Sequence, residues 1–132
     1  IKSMLFVPGH KTNFLNKLDQ TISDVVVLDL EDAVPLNKKV LARKNLEKIK
    51  NSFSQNNFFV RINNDQKNLL PDIISSTKAK INSYILPKIN SAKDVKLIEK
   101  KIKKYSKLKD LSFFWVWSGV TRRGPDPKSQ RA

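Results

Sequence analysis

The sequence predicts an α/β fold built on a parallel sheet, and three observations carry that expectation. Short apolar segments alternate with amphipathic helical segments through most of the 132 residues, at intervals that suit strand–helix–strand units. Val25-Val26-Val27-Leu28 is an unbroken, mostly β-branched run, as in a strand covered on both faces. It leads into Asp29, Glu31 and Asp32. Acids where a buried strand stops stand at the edge where α/β proteins place their chemistry.

Residues 2–7 open the series with the strand Met4-Leu5-Phe6-Val7, ended by Pro8-Gly9. Residues 11–21 carry Phe14, Leu15 and Leu18 at helical spacing. Residues 24–30 form the second strand. Residues 35–52 read as a helix: Pro35 suits its first turn, and Val40, Leu41, Leu46 and Ile49 are available for its apolar face. Phe58-Phe59-Val60-Arg61-Ile62 is the third strand, followed by the loop signal Asn63-Asn64-Asp65. A short helix covers residues 69–76, and a fourth strand covers residues 83–86, stopped by Pro87. Ser91 caps the next helix, where Val95, Ile98, Ile102 and Tyr105 make one stripe and lysines the opposite face. Residues 111–116 are a candidate fifth strand. Such units fit an open flavodoxin-like sheet or the first half of a barrel equally well, and they exclude a β-sandwich or a helical bundle.

Composition narrows the classes further. The length gives one modest domain, about half of a barrel of roughly 250 residues. There is no cysteine, hence no disulfide framework or thiolate metal site, which fits a reducing cytoplasm. No apolar run approaches the roughly 18 residues that span a bilayer, and no signal-peptide pattern opens the sequence. The net charge is +14, from 26 basic and 12 acidic residues. The lysines are scattered over expected helix surfaces, so solvated faces, not nucleic acid or membrane, explain them. After Asp110 lysine nearly vanishes, while both tryptophans and three of the five arginines follow. Residues 119–132 lack apolar periodicity and read as a disordered or foreign tail behind a domain of residues 1–118.

Four segments can carry chemistry. Asp29 and Glu31 fall on one side of an extended strand and Asp32 in the turn beyond. They can hold Mg2+, orient a base, or simply cap the turn. In Pro8-Gly9-His10-Lys11, glycine lets backbone approach a ligand, and Lys11 and Thr12 offer donors to an anion. His10 is the only histidine, and a lone loop histidine is more often structural than catalytic. Arg61 is one of only two arginines in the first 110 residues, with Arg43. Its planar fork binds a carboxylate bidentately, either in a substrate or in an internal pair with Asp29, Glu31 or Asp32, and the two are compatible. Lys88 ends the fourth strand and is read as solvated.

Taken in order, Ser3-Met4-Leu5-Phe6-Val7-Pro8-Gly9-His10, Leu28-Asp29-Leu30-Glu31-Asp32-Ala33-Val34, Lys39 with Ala42-Arg43, Val60-Arg61-Ile62-Asn63 and Leu86-Pro87-Lys88 resemble the HpcH/HpaI aldolase and citrate lyase β-subunit superfamily, especially its CitE-like branch. The resemblance covers roughly residues 1–105. It implies a partial (β/α)8 TIM barrel of about four to five βα units. It implies a lyase that makes or breaks C–C bonds in citryl-, malyl- or related β-hydroxyacyl thioesters of CoA or an acyl carrier protein. Members are Mg2+-dependent and trimeric or hexameric. By resemblance, Arg61 contacts the substrate carboxylate, Pro8 and Gly9 border the acyl-thioester entrance, and Asp29, Glu31 and Asp32 are supporting acids near the metal. The family's glutamate ligand at the end of the fifth strand has no counterpart in Phe113-Phe114-Trp115-Val116-Trp117-Ser118. The expectation is therefore an incomplete, inactive amino-terminal portion without its own Mg2+. The alternative is a non-catalytic α/β domain that binds an acidic metabolite or CoA-like anion.

Overall fold

Among the described residues five strands run parallel in the order in which they occur along the chain: β1 (Met4–Pro8), β2 (Val25–Asp29), β3 (Phe58–Arg61), β4 (Ser83–Ile89) and β5 (Ser112–Trp117). The computed structural model describes residues 3–17, 24–49 and 57–117. Among the described residues four α-helices fall between the strands: α1 (Thr12–Leu15), α2 (Lys39–Ile49), α3 (Leu69–Lys78) and α4 (Ala92–Tyr105). A flavodoxin-like sheet reverses its strand order at a switch point. The order here never reverses, so the winding is that of consecutive units of a (β/α)8 barrel.

Alternation along the strands makes two apolar layers. Val26 and Leu28 of β2, Phe58 and Val60 of β3, and Tyr84 and Leu86 of β4 pack with Leu46, Ile73, Ile98 and Ile102 from the helices. Val25, Val27 and Phe59 form a second cluster with Ile85 and Phe114. Phe59 and Phe114 stack with ring centroids 5.2 Å apart, although β4 lies between their strands. The sheet curves enough to bring them together, as a barrel wall does.

Several boundaries differ from the sequence expectation. Pro87 does not stop β4, which runs to Ile89. The pairing with β5 shifts register between Leu86 and Ile89, and such an irregularity tolerates a residue with no N–H to donate. The second helix opens with a 3-10 turn, Leu36–Lys38. Its buried face carries Lys39, Ala42, Asn45 and Leu46, whereas Val40 and Leu41 are exposed. Lys39 and Asn45 turn inward because backbone carbonyls await them there. The third helix passes Ser76 and ends at Lys78, with Lys80 at a φ of 58° in the turn beyond. Ser91 caps α4 as expected, its hydroxyl accepting from the Asp94 amide at 3.2 Å. Tyr105 is exposed, so the buried stripe of α4 is Val95, Ile98 and Ile102. The first helix is described only over Thr12–Leu15. Its expected continuation from Leu18, residues 50–52, and the expected tail over 119–132 lie outside the described residues. Among the described residues no helix is long and apolar enough to cross a membrane.

Candidate functional site

Sheet register builds the site. Pro8 of β1 lies opposite Asp29 of β2, and Asp29 lies opposite Arg61 of β3. Three neighbouring strands thus deliver one row of residues to the carboxyl edge of the sheet. By alternation, Asp29 and Arg61 share the face of Val25, Val27 and Phe59, the face turned from the helices.

Asp29 is 1% exposed, and its carboxylate is fully engaged. Oδ1 accepts from the Glu31 amide at 2.8 Å and from Arg61 Nε at 2.9 Å. Oδ2 accepts from the Ala33 amide at 3.1 Å and from Arg61 Nη2. The two amide bonds curl the chain after β2 into a turn. The two guanidinium bonds grip Arg61 side-on, the geometry only arginine offers. Glu31 Oε1 lies 3.6 Å from Arg61 Nε, and the Phe6 ring centroid lies 5.2 Å from Cζ, within cation–π range. The hydrogen bond to Asp29 raises the Arg61 pKa above its ordinary value; nearby charge on Asp29, Glu31 and Asp32 adds to this, while burial opposes it. Arg61 is thus a permanent cation whose side chain keeps 25% exposure. Its Nη1 makes no hydrogen bond among the described residues.

The turn that carries Glu31 is held from beneath. Lys39 Nζ donates to Leu30 O at 2.9 Å, Glu31 O at 2.7 Å and Asn63 Oδ1 at 2.9 Å. Asn63 Nδ2 donates to Leu30 O at 2.7 Å and to Asp72 Oδ2 at 2.6 Å. The sequence places Asn63 in a loop, and both Asn63 and Lys39 enter there only as motif matches. A lysine that follows Asn37 and Lys38 gives no sign of burial. The one available signal was its position ten residues after Asp29, on the next helix.

Gly9 is needed for a reason the sequence did not reveal. Its amide donates to Asp29 O at 2.8 Å. A Cβ there would stand 2.9 Å from that oxygen and 3.0 Å from Ala42 Cβ. The missing side chain lets β2 and α2 close on the turn, where ligand approach had been the expected reason. Beyond Gly9, an open cleft of about 560 Å³ is lined by His10, Lys11, Thr12, Asn13, Phe14, Lys38 and Leu41. Burial, followed by the charges of Lys11 and Lys38, lowers the His10 pKa, and its buried Nδ1 has no hydrogen-bond partner. Lys88 lies within β4.

The donors at this edge are poorly suited to Mg2+. Asp29 has its oxygens committed to four N–H groups, and β5 presents no carboxylate. Among the described residues no three His, Asp or Glu side chains converge as metal ligands. These residues do not fit a self-sufficient Mg2+ site, whose donors are carboxylate and other oxygens.

Known proteins give the same reading of the fold. (3S)-malyl-CoA thioesterase from Cereibacter sphaeroides is 31% identical over 100 residues, covering 74% of this chain and 35% of that protein. L-malyl-CoA/beta-methylmalyl-CoA lyase from Rhodobacter capsulatus is 28% identical over 104 residues, covering 74% of this chain and 33% of that protein. The chain thus spans about a third of the length of the curated relatives it matches. The citrate lyase beta subunit of M. tuberculosis, solved with oxaloacetate and magnesium, superposes with a TM-score of 0.63 at 29% identity, over 71% of this chain and 42% of that one. The profile of one family matches residues 2–109, and the chain belongs to it: the HpcH/HpaI aldolase/citrate lyase family.

Proposed function

We propose that this chain supplies the carboxylate-recognising part of a C–C lyase acting on malyl-, citryl- or related β-hydroxyacyl thioesters of CoA or a carrier protein. The observation that carries the proposal is the Arg61 guanidinium. Asp29 clamps one edge of it and leaves Nη1 at the mouth of the sheet. A fixed cation of this kind orients a substrate acid while the rest of the molecule reacts. The cleft with Lys11 and Lys38, directly after Pro8-Gly9, suits the anionic part of a thioester carrier. Pro8 and Gly9 then shape the passage between the two.

Cleavage of a β-hydroxyacyl thioester leaves an enolate, whose charge a metal commonly stabilises in such reactions. The carboxylates among the described residues do not converge into a site that fits one, so binding of the acid at Arg61 is proposed to be independent of Mg2+, and this chain alone is proposed not to turn substrate over. The absence of a carboxylate on β5 favours a second reading, a binding domain without catalysis. Titration with oxaloacetate separates the outcomes. Arg61→Ala is expected to weaken binding about tenfold or more, the scale of a lost charge-assisted pair, with and without Mg2+. Equal binding by Arg61→Ala overturns the proposal. Mg2+-dependent release of acetyl-CoA from malyl-CoA by the purified chain overturns the claim of inactivity.

A further inference from the structure

We propose that Lys39 and Asn63 are positioning residues that set Arg61 against Asp29, an inference that rests on the role proposed for Arg61. An ammonium has three donors, and Lys39 satisfies all three on Leu30 O, Glu31 O and Asn63 Oδ1. The residue is only 7% exposed. Burying a charge is costly unless every hydrogen bond is made. All three acceptors lie on the two turns that flank the site. Leu30 and Glu31 directly follow Asp29, and Asn63 is two residues past Arg61. Asn63 also donates to Leu30 O at 2.7 Å, so lysine and asparagine together lock the turn after β2 to the turn after β3. The two residues that must meet side-on are carried on those two turns. A stem from α2 thus fixes their separation without touching either side chain.

The test reads Arg61 directly. In the labelled wild-type chain the Arg61 Nε–H donates to Asp29 and is expected to exchange slowly with solvent. Lys39→Met keeps the length of the stem and removes the three donors. It is expected to speed exchange of that proton about tenfold and to weaken oxaloacetate binding by a similar factor, as small misplacements at a site do. Ser75→Ala breaks the 3.0 Å bond to Glu47 Oε2 that joins α3 to α2, shares no partner with Lys39, Asn63 or Arg61, and should leave both within about twofold, since separate sites act independently. Unchanged Arg61 exchange in folded Lys39→Met overturns the proposal. Equal acceleration in Ser75→Ala also overturns it, because general loosening then explains the result. If Lys39→Met does not fold, Asn63→Ser decides in the same way: faster Arg61 exchange supports the proposal, and unchanged exchange ends it. The exchange measurement needs no ligand. A wild-type chain that protects Arg61 and yet ignores oxaloacetate refutes the proposed function and leaves the positioning geometry standing.

Discussion

Arg43 and Arg61 each bind an aspartate whose side chain is almost wholly buried, yet the two pairs serve different ends. Arg43 Nη1 meets Asp72 Oδ1 at 2.9 Å, with the side chains 14% and 0% exposed. It joins α2 to α3, and the other oxygen of Asp72 is taken by the amide and side chain of Asn63. That pair is the more enclosed of the two, its guanidinium 14% exposed against 25% for Arg61. Arg61 and Asp29 lie on adjacent strands in register, and the guanidinium keeps an open edge at the sheet mouth. The same two residue types therefore make a staple in one place and a presented cation in the other. What separates them is position: between helices for the first, at strand ends for the second. Removing an arginine should unfold the chain in one case and blind it in the other.

The largest effect is expected from Arg43→Met. It leaves Asp72 buried opposite no charge, which costs about 3 kcal/mol or more when one partner of a buried pair is deleted. Chemical denaturation should show that loss, while whatever fraction stays folded binds oxaloacetate as before. A stability change below about 0.5 kcal/mol, the range of ordinary surface substitutions, would make the staple dispensable and erase the contrast. Gly9→Ala should act on the other pair alone. Its new Cβ presses on Asp29 O, a backbone atom. Overpacking of this kind costs about 1–3 kcal/mol, and β2 must shift to relieve it. Thermal melts should register the loss, and Arg61 Nε–H exchange should quicken with it. Unaltered exchange would show that the site tolerates movement of its own strand.

The contrast was half legible in the sequence. A chain rich in lysine carries only two arginines before Asp110, and the apolar run before Asp29 placed one edge of the sheet correctly. The sequence named Asp29, Glu31 and Asp32 as possible partners of Arg61, and the register selects Asp29 as the bidentate one. Motif order, not periodicity, favoured a barrel over an open sheet, because strand–helix alternation is identical in both. Hidden from the sequence were bonds whose partners lie far apart in the chain. Lys39 and Asn63 are separated by 24 positions, and Asn63 and Leu30 by 33. The face of α2 was misjudged for the same reason: Val40 and Leu41 outrank lysine and asparagine in hydropathy, but the buried carbonyls of Leu30, Glu31 and Gly9 require donors. Pro87 misled because the rule for proline assumes a regular ladder, and β4 shifts register there.

The smallest expected effect concerns acid. Burial raises the Asp72 pKa above 3.8, and the bonds from Asn63 and Arg43 only partly oppose that. The folded state therefore holds the Asp72 proton more tightly than the unfolded state. Charging Asp72 in place is a cost, present above its folded pKa, that is relieved as pH falls through that value toward 3.8. Over that window this one group makes the slope of stability against pH more negative. Asp72→Asn removes the titration, so subtracting its stability curve from that of the wild type isolates the contribution. The difference should favour the wild type more as pH drops through the window, by less than the loss expected from Gly9→Ala. A difference curve with the opposite slope would mean that Arg43 and Asn63 more than offset the burial of Asp72. The staple would then be as strongly stabilised in its charged form as a solvated ion pair, and the distinction between a pair built to hold and a pair built to present would rest on exposure alone.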